Sequence, residues 1–202
     1  ASKILEEGIS EEKRPVVELI RRETDRLRSH IDKVLELASL ESGKKLMQFN
    51  EVDFKPELER VCRDFKILAA SENLDFEYEL LGDGYIIRAE TFHLENVIAN
   101  LLENAKKYSD DPVIRLMAFT QKGKLFISLE DSGQGISKQD QKRIFRKYYR
   151  IKNGNVHRVK GYGLGLSYVQ KIVRMHRGKI SVESELGKGT KFTLSFKLTK
   201  NG

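Results

Sequence analysis

The chain has 202 residues, 39% of them hydrophobic and 33% charged, which suits a water-soluble protein with one good core and a smaller appendage. Its single cysteine excludes an intramolecular disulfide, and no apolar run approaches the roughly 20 residues that a membrane-spanning helix needs. The net charge of +7 is compatible with nucleic acid, an anionic ligand or an acidic protein partner, but basic and acidic residues are interleaved over much of the chain, which argues against a nucleic-acid module.

The start, Ala1-Ser-Lys-Ile-Leu-Glu-Glu, is charged rather than signal-like, so no anchor is expected, and the cysteine usage fits a reducing compartment. From Glu11 to Leu40 the pattern is one long amphipathic helix, with Pro15 in its first turn and Gly43 beyond its end. Ile20, Leu27, Ile31, Val34, Leu35 and Ala38 form a narrow apolar seam, and such a seam meets another helix. Lys3 to Glu7 reads as the last turn of an earlier helix and Gly8-Ile-Ser10 as a bend, so an antiparallel helical hairpin lacking most of its first helix is expected. His30, on or near the seam, reads as a packed or partly exposed side chain. The expected organisation is a helical region over residues 1–43 and a second domain over 44–202.

Leu46 to Asp53 alternates like a strand, and Pro56 to Ala70 returns to helical period, which makes Cys62 a buried thiol. Leu74 to Leu81 reads as a strand, Gly82-Asp-Gly84 as a turn, and Tyr85 to Ala89 as the hairpin partner. A helix follows in which Leu94, Val97, Ile98, Leu101 and Ala105 form an apolar stripe, while Asn96, Asn100, Asn104, Lys107 and Tyr108 form a polar one. Val113 to Thr120 and Lys124 to Glu130 form a hairpin around Lys122-Gly123 that runs into Asp131-Ser-Gly133-Gln-Gly135-Ile136. Lys138 to about Phe145 is a short helix, and Tyr148 to Lys160 is polar, basic and without period, as a loop is. Gly161-Tyr-Gly163-Leu-Gly165-Leu166 opens a helix to about His176, and Lys179 to Ser184 with Lys191 to Leu198 closes the chain as a hairpin. Helices alternating irregularly with hairpins predict an α+β, two-layer α/β sandwich, with helices on one face of a mixed sheet and a long amphipathic helix in front.

Asn is a mediocre helix former, so three in register need a reason: a solvated face, or amide oxygens completing an oxygen shell around Mg²⁺ beside phosphates, with Lys107 offsetting charge. Asp131 at a strand end followed by spaced glycines is either a turn or a carboxylate at a pocket floor, placed to accept from an adenine amino group. The Gly161 run meets a helix start, where free amides favour phosphate, yet its even glycine spacing matches neither the dinucleotide fingerprint nor the common P-loop. Leu186-Gly-Lys-Gly189-Thr190 alone is a hairpin turn.

Taken together and in this order, these segments resemble the GHKL ATPase family, and within it the catalytic domain of sensor histidine kinases, over about Leu46 to Leu198. Asn100-Leu-Leu-Glu-Asn104-Ala-Lys-Lys107-Tyr108 resembles the N box, Asp131 to Gly135 the first glycine box, Ile144 to Arg150 the F box, Gly161 to Leu166 the second glycine box, and Gly187-Lys-Gly189-Thr190 the third. The resemblance implies a Bergerat-type fold that binds ATP and Mg²⁺, with Asn104 on the metal and Asn100 placing the triphosphate. Lys107, Tyr108 and Arg150 are implied at phosphates or lid, Asp131 at adenine and Thr190 behind Asp131. Gly133, Gly135, Ile136, Tyr149, Lys160, Gly161, Tyr162, Gly163, Leu164, Gly165 and Leu166 are implied around the nucleotide, with residues 151–160 as a lid. Asn100, Lys107 and Arg150 are the expected catalytic groups.

Relatives that hydrolyse ATP carry a glutamate at the Asn100 position as general base, and an amide cannot take a proton, so slow hydrolysis and phosphate kept for an external acceptor are expected. The family's acceptor histidine is followed by an acidic residue on the first hairpin helix; His30 is followed by Ile31, so the acceptor is expected upstream. Glu90 stands where the family has an aspartate. The implied partners are a response regulator receiver domain and a second copy joined through the hairpin; neither nucleic acid nor membrane contact is expected, and the location is cytoplasmic. The alternative is a nucleotide-gated, non-catalytic interaction module of the same fold.

Overall fold

The computed structural model describes residues 14–41, 47–108, 113–151 and 162–199. The chain divides into two compact units, Ala1–Leu46 and Met47–Gly202. In the first, α1 (Arg14–Glu41) is one uninterrupted helix whose seam residues Ile20, Leu27, Ile31 and Leu35 are all more than half exposed. Glu11 to Lys13 and the expected earlier turn lie outside the described residues.

The second unit opens with β1 (Asn50–Asp53) and α2 (Lys55–Ser71), which has Pro56 in its first turn, where the missing N–H is no loss. α2 buries Leu58, Cys62, Phe65 and Ala69 at helical spacing, and burial pushes the Cys62 thiol up to about 12, so it stays protonated and inert. β2 (Asp75–Leu80) and β3 (Ile86–Ala89) follow, then α3 (Thr91–Lys107), β4 (Val113–Gln121), β5 (Lys124–Asp131), the single turn α4 (Lys138–Gln141), α5 (Gly165–Met175), β6 (Lys179–Glu185) and β7 (Gly189–Lys197).

Five strands form one mixed sheet in the order β2-β4-β5-β7-β6, in which the β2–β4 pair is parallel and the other pairs are antiparallel. Alternation sorts its faces: Leu116, Ala118, Leu125, Ile127, Leu129, Phe192, Leu194 and Phe196 are buried, while Arg115, Met117, Glu130 and Lys197 point to solvent. The buried face carries α3 and α5, whose apolar stripes Leu94, Val97, Ile98, Leu101 and Val169, Ile172, Val173 close the core. This is the expected two-layer α+β sandwich.

The expected hairpin between Leu74–Leu81 and Tyr85–Ala89 is corrected. β3 pairs antiparallel with β1 in a separate two-stranded sheet, whereas β2 pairs with β4. Gly82 and Gly84 both adopt positive φ and turn the chain away, and the Tyr85 hydroxyl donates to the carbonyls of Leu81 and Ala118, each at 2.9 Å, holding the connection against β4.

Candidate nucleotide site

α3 is positioned by its ends. The Glu90 side chain caps it by accepting from His93 N at 2.8 Å, which shows what a glutamate does there: the longer side chain still reaches the first turn. The Glu90 backbone N–H donates to His176 Nε2 at 3.1 Å, and His176 Nδ1 meets Ile172 O at 2.8 Å, so the end of α5 is tied to the start of α3. The His93 Nδ1 to Tyr168 hydroxyl bond, 2.8 Å, adds a second tie.

Along the polar stripe the asparagines differ. Asn104 lines a cavity between α3 and the sheet, and its Nδ2 is buried with no hydrogen-bond partner among the described residues. Asn100 does not line that cavity. Its Nδ2 donates to Asn96 O at 2.7 Å, and a Cβ at Gly165 would come within 3.1 Å of its Oδ1, so Asn100 lies against the first residue of α5. Lys107 is exposed and paired with Glu103 at 2.6 Å, away from the lining, whereas Tyr108 caps α3 and lines the cavity.

The floor is built by the sheet. Asp131, the last residue of β5, lies opposite Thr190 of β7 and is 7% exposed. Burial pushes its carboxyl above the ordinary value, and backbone N–H bonds from Gly133, at 2.9 Å, and from Thr190 pull the other way. Two donors leave acceptor capacity on this carboxylate. The turns around it are tight: a Cβ at Gly189, with φ at 98°, would fall 1.8 Å from Asp131 O, and one at Gly135 2.0 Å from Glu185 O. Ser184, which sequence reasoning missed, links them by accepting from Ile136 N at 2.7 Å and donating to Gly189 O at 2.7 Å, with Thr190 Oγ1 at 3.0 Å. Its signal in the sequence was its place opposite Thr190 across the final hairpin.

The third wall is the F-box segment. Tyr149 donates to Asp140 at 2.6 Å, Ile144 is buried, and Tyr149, Arg150 and Ile151 line the cavity. Gly163 packs on this segment. A Cβ there would lie 2.7 Å from Tyr149 O, and its carbonyl accepts from Tyr148 N at 2.9 Å. Leu164 is buried ahead of α5, Leu166 lines the cavity, and Tyr162 is half exposed. Lys160 and Gly161, with residues 152–160 of the expected lid over 151–160, lie outside the described residues.

The cavity encloses about 630 Å³ of atom-free space, part of it open to solvent. Asn104, Tyr108, Asp131, Gly135, Ile136, Tyr149, Arg150, Leu166 and Thr190 of the expected set line it; Asn100 and Lys107 do not. Gly133, Gly163, Leu164 and Gly165 shape its surroundings. Sequence reasoning missed Ala105, Gln134, Ile144, Ile151 and Phe192, of which Phe192 follows from alternation with Thr190 along β7. Chemically this is an apolar slot with one buried carboxylate at its end, a shape that suits a flat heteroaromatic ring carrying an amino donor.

A family model described as histidine kinase-, DNA gyrase B- and HSP90-like ATPase matches residues 89–200, more than half of the chain. The chain belongs to that ATPase family. Among its relatives, the Sensor protein RprX of Bacteroides fragilis is 39% identical over 186 residues, which are 91% of this chain and 36% of RprX. The ATPase-family chain thus spans about a third of the length of this relative. Full-length ShkA, solved in complex with AMPPNP, superposes with a TM-score of 0.79 at 24% identity, covering 95% of this chain and 40% of that one. The histidine kinase ThkA, solved with the response regulator protein TrrA, gives 0.74 at 22% identity, covering 95% and 53%. These two likenesses concern the fold of this ATPase-family member.

Proposed function

We propose that this chain is the ATP-binding catalytic part of a sensor histidine kinase. It binds ATP, passes the γ-phosphoryl group to a histidine supplied by another segment or chain, and serves a response regulator that receives the phosphate on an aspartate. The observation that carries the reading is the buried Asp131 carboxylate at the end of an apolar slot that also holds the Asn104 amide. Asp131 accepts the adenine amino group, and Ile136, Ile144 and Leu166 enclose the ring. Tyr108 and Arg150 face the phosphate end, where the Arg150 guanidinium neutralises charge.

In the transfer, an imidazole nitrogen forms a bond to the γ-phosphorus, the bond to the β–γ bridging oxygen breaks, and ADP leaves with that electron pair. The described residues hold no group of three or more His, Cys, Asp or Glu arranged for a metal. Mg²⁺ would rest on the amide oxygen of Asn104, which lines the cavity, with phosphate oxygens and water, while the buried, unpartnered Nδ2 is a donor suited to a phosphate oxygen. Bound there, it would neutralise phosphate charge. Asn100, held by Asn96 and Gly165, offers no base for water, so hydrolysis is slow.

The acceptor comes from elsewhere because His93 and His176 are buried and bonded, and no histidine in the sequence is followed by an acidic residue. No described helix is long and apolar enough to cross a membrane, and a cytoplasmic location is the proposed one. ShkA was solved with AMPPNP and ThkA with TrrA, which supports the nucleotide and the partner by analogy.

Calorimetric titration with ADP and a non-hydrolysable ATP analogue, with and without Mg²⁺, on this chain and on Asn104→Ala, tests the site. Metal-assisted binding that weakens in the variant is expected, and absence of binding under every condition would overturn the reading. Rapid release of phosphate from ATP by the chain alone would sink the inference from Asn100.

A further inference from the structure

A second cavity lies away from the nucleotide slot, between the C-terminal end of α5, β3 and the far end of β7. It encloses about 1070 Å³ of atom-free space including its open mouth. Its walls are apolar and aromatic: Phe49, Ile87, Met175, Phe196 and Leu198, with the Phe49 ring edge-on to His176 at 4.9 Å. Gly178 at the end of α5 keeps room for this wall, since a Cβ there would fall 2.7 Å from the Phe196 ring.

Three exposed cationic residues, Arg88, Arg177 and Lys197, border the cavity, and no acidic residue lines it among the described residues. None of the three is in an ion pair among the described residues, whereas Arg60 pairs with Glu95 and Lys106 with Glu72. Glu51 stands opposite Arg88 across β1 and β3 without forming an ion pair with it, while Lys44 and Lys45 precede Phe49 and Lys200 follows Thr199. An apolar pocket of ligand size bordered by exposed cations suits a molecule with an apolar body and an anionic head.

We propose that this cavity is a binding site for a small amphipathic anion, with an aryl or short acyl body against Phe49, Met175 and Phe196 and a carboxylate, sulfonate or phosphate head on Arg88, Arg177 and Lys197. The occupant lies on the same end of α5 that His176 ties to the cap of α3.

The probe is 8-anilinonaphthalene-1-sulfonate, whose emission is easily read in a chain with no tryptophan. It is titrated into the protein carrying ¹³C-methyl methionine, with and without saturating ADP. Saturable one-to-one binding is expected to persist with ADP present, to shift the Met175 methyl signal and to leave Met117, on the solvent face of the sheet, unmoved. Arg88→Ala with Arg177→Ala should weaken it at least tenfold, and the melting temperature of that variant reports its folding. Displacement by ADP, no saturable binding, or a shift of Met117 without Met175 would each overturn the proposal. The methionine readout on the unaltered chain decides even if the double variant fails to fold or ADP fails to bind.

Discussion

Asp131 carries opposing demands. Its ionised form is disfavoured by burial, yet an ionised carboxylate is the stronger acceptor for an adenine amino group. A carboxyl whose folded value is raised costs stability above that value, and the cost disappears below the unfolded value of 3.8. Asp131→Asn should therefore melt no lower than the parent at neutral pH, with the difference shrinking as the pH falls toward the acid range. The same change should weaken ADP binding by about thirtyfold, the equivalent of about 2 kcal/mol for a charge-assisted hydrogen bond, and thermal melts with calorimetry check both. That Asp131, Asn104 and Thr190 share one cavity was legible in the sequence because each sits at a spacing that fixes which face it occupies. Lys107 lies outside the lining and pairs with Glu103, four residues earlier, across one helical turn.

At the scale of elements, one turn separates two glycine roles. Gly187 has φ at 77° with nothing near a Cβ, whereas Gly189 has φ at 98° and a Cβ would strike Asp131 O. Gly187→Ala should cost about 1 kcal/mol from backbone strain alone, and Gly189→Ala roughly 3 kcal/mol by adding a clash, as denaturant unfolding would reveal. Losing nucleotide binding only in the second is the matching functional readout. Strands and helices were readable from period, but the partner of a strand was not. Alternation in β2 and β3 says which side chains are buried, while the choice between each other and β4 or β1 depends on Gly82, Gly84 and the Tyr85 hydroxyl. The exposed seam of α1 poses the same question of partners. If it joins a second copy, Ile31→Glu should abolish self-association in sedimentation equilibrium and leave ADP affinity unchanged.

For the whole molecule, acid should act through His176. Burial holds its pKa below the ordinary 6.5, so the neutral ring stabilises the fold above that value, and stability is lost as the pH falls from it toward the lower folded value. His176→Asn should flatten the melting temperature across that interval, a slope that scanning calorimetry measures. The fold class was legible because sheet alternation and helix stripes agreed along most of the chain; the second cavity was not, because its lining comes from four separated segments.

The order of the sheet has a kinetic consequence. β4 with β5 and β6 with β7 are local hairpins, but the seam between β5 and β7 joins residues as far apart as Lys124 and Lys197, and only that seam, through Asp131 and Thr190, completes the floor of the slot. Long-range pairing is the slow part of folding. The nucleotide thus cannot template its own pocket. Added ADP should leave the refolding rate unchanged and slow unfolding in proportion to occupancy, by about 2.7 kcal/mol of added stability at a hundredfold excess over Kd. In that sense the cell's adenine nucleotide pool acts on this protein as a ratchet, holding finished molecules rather than helping to finish them.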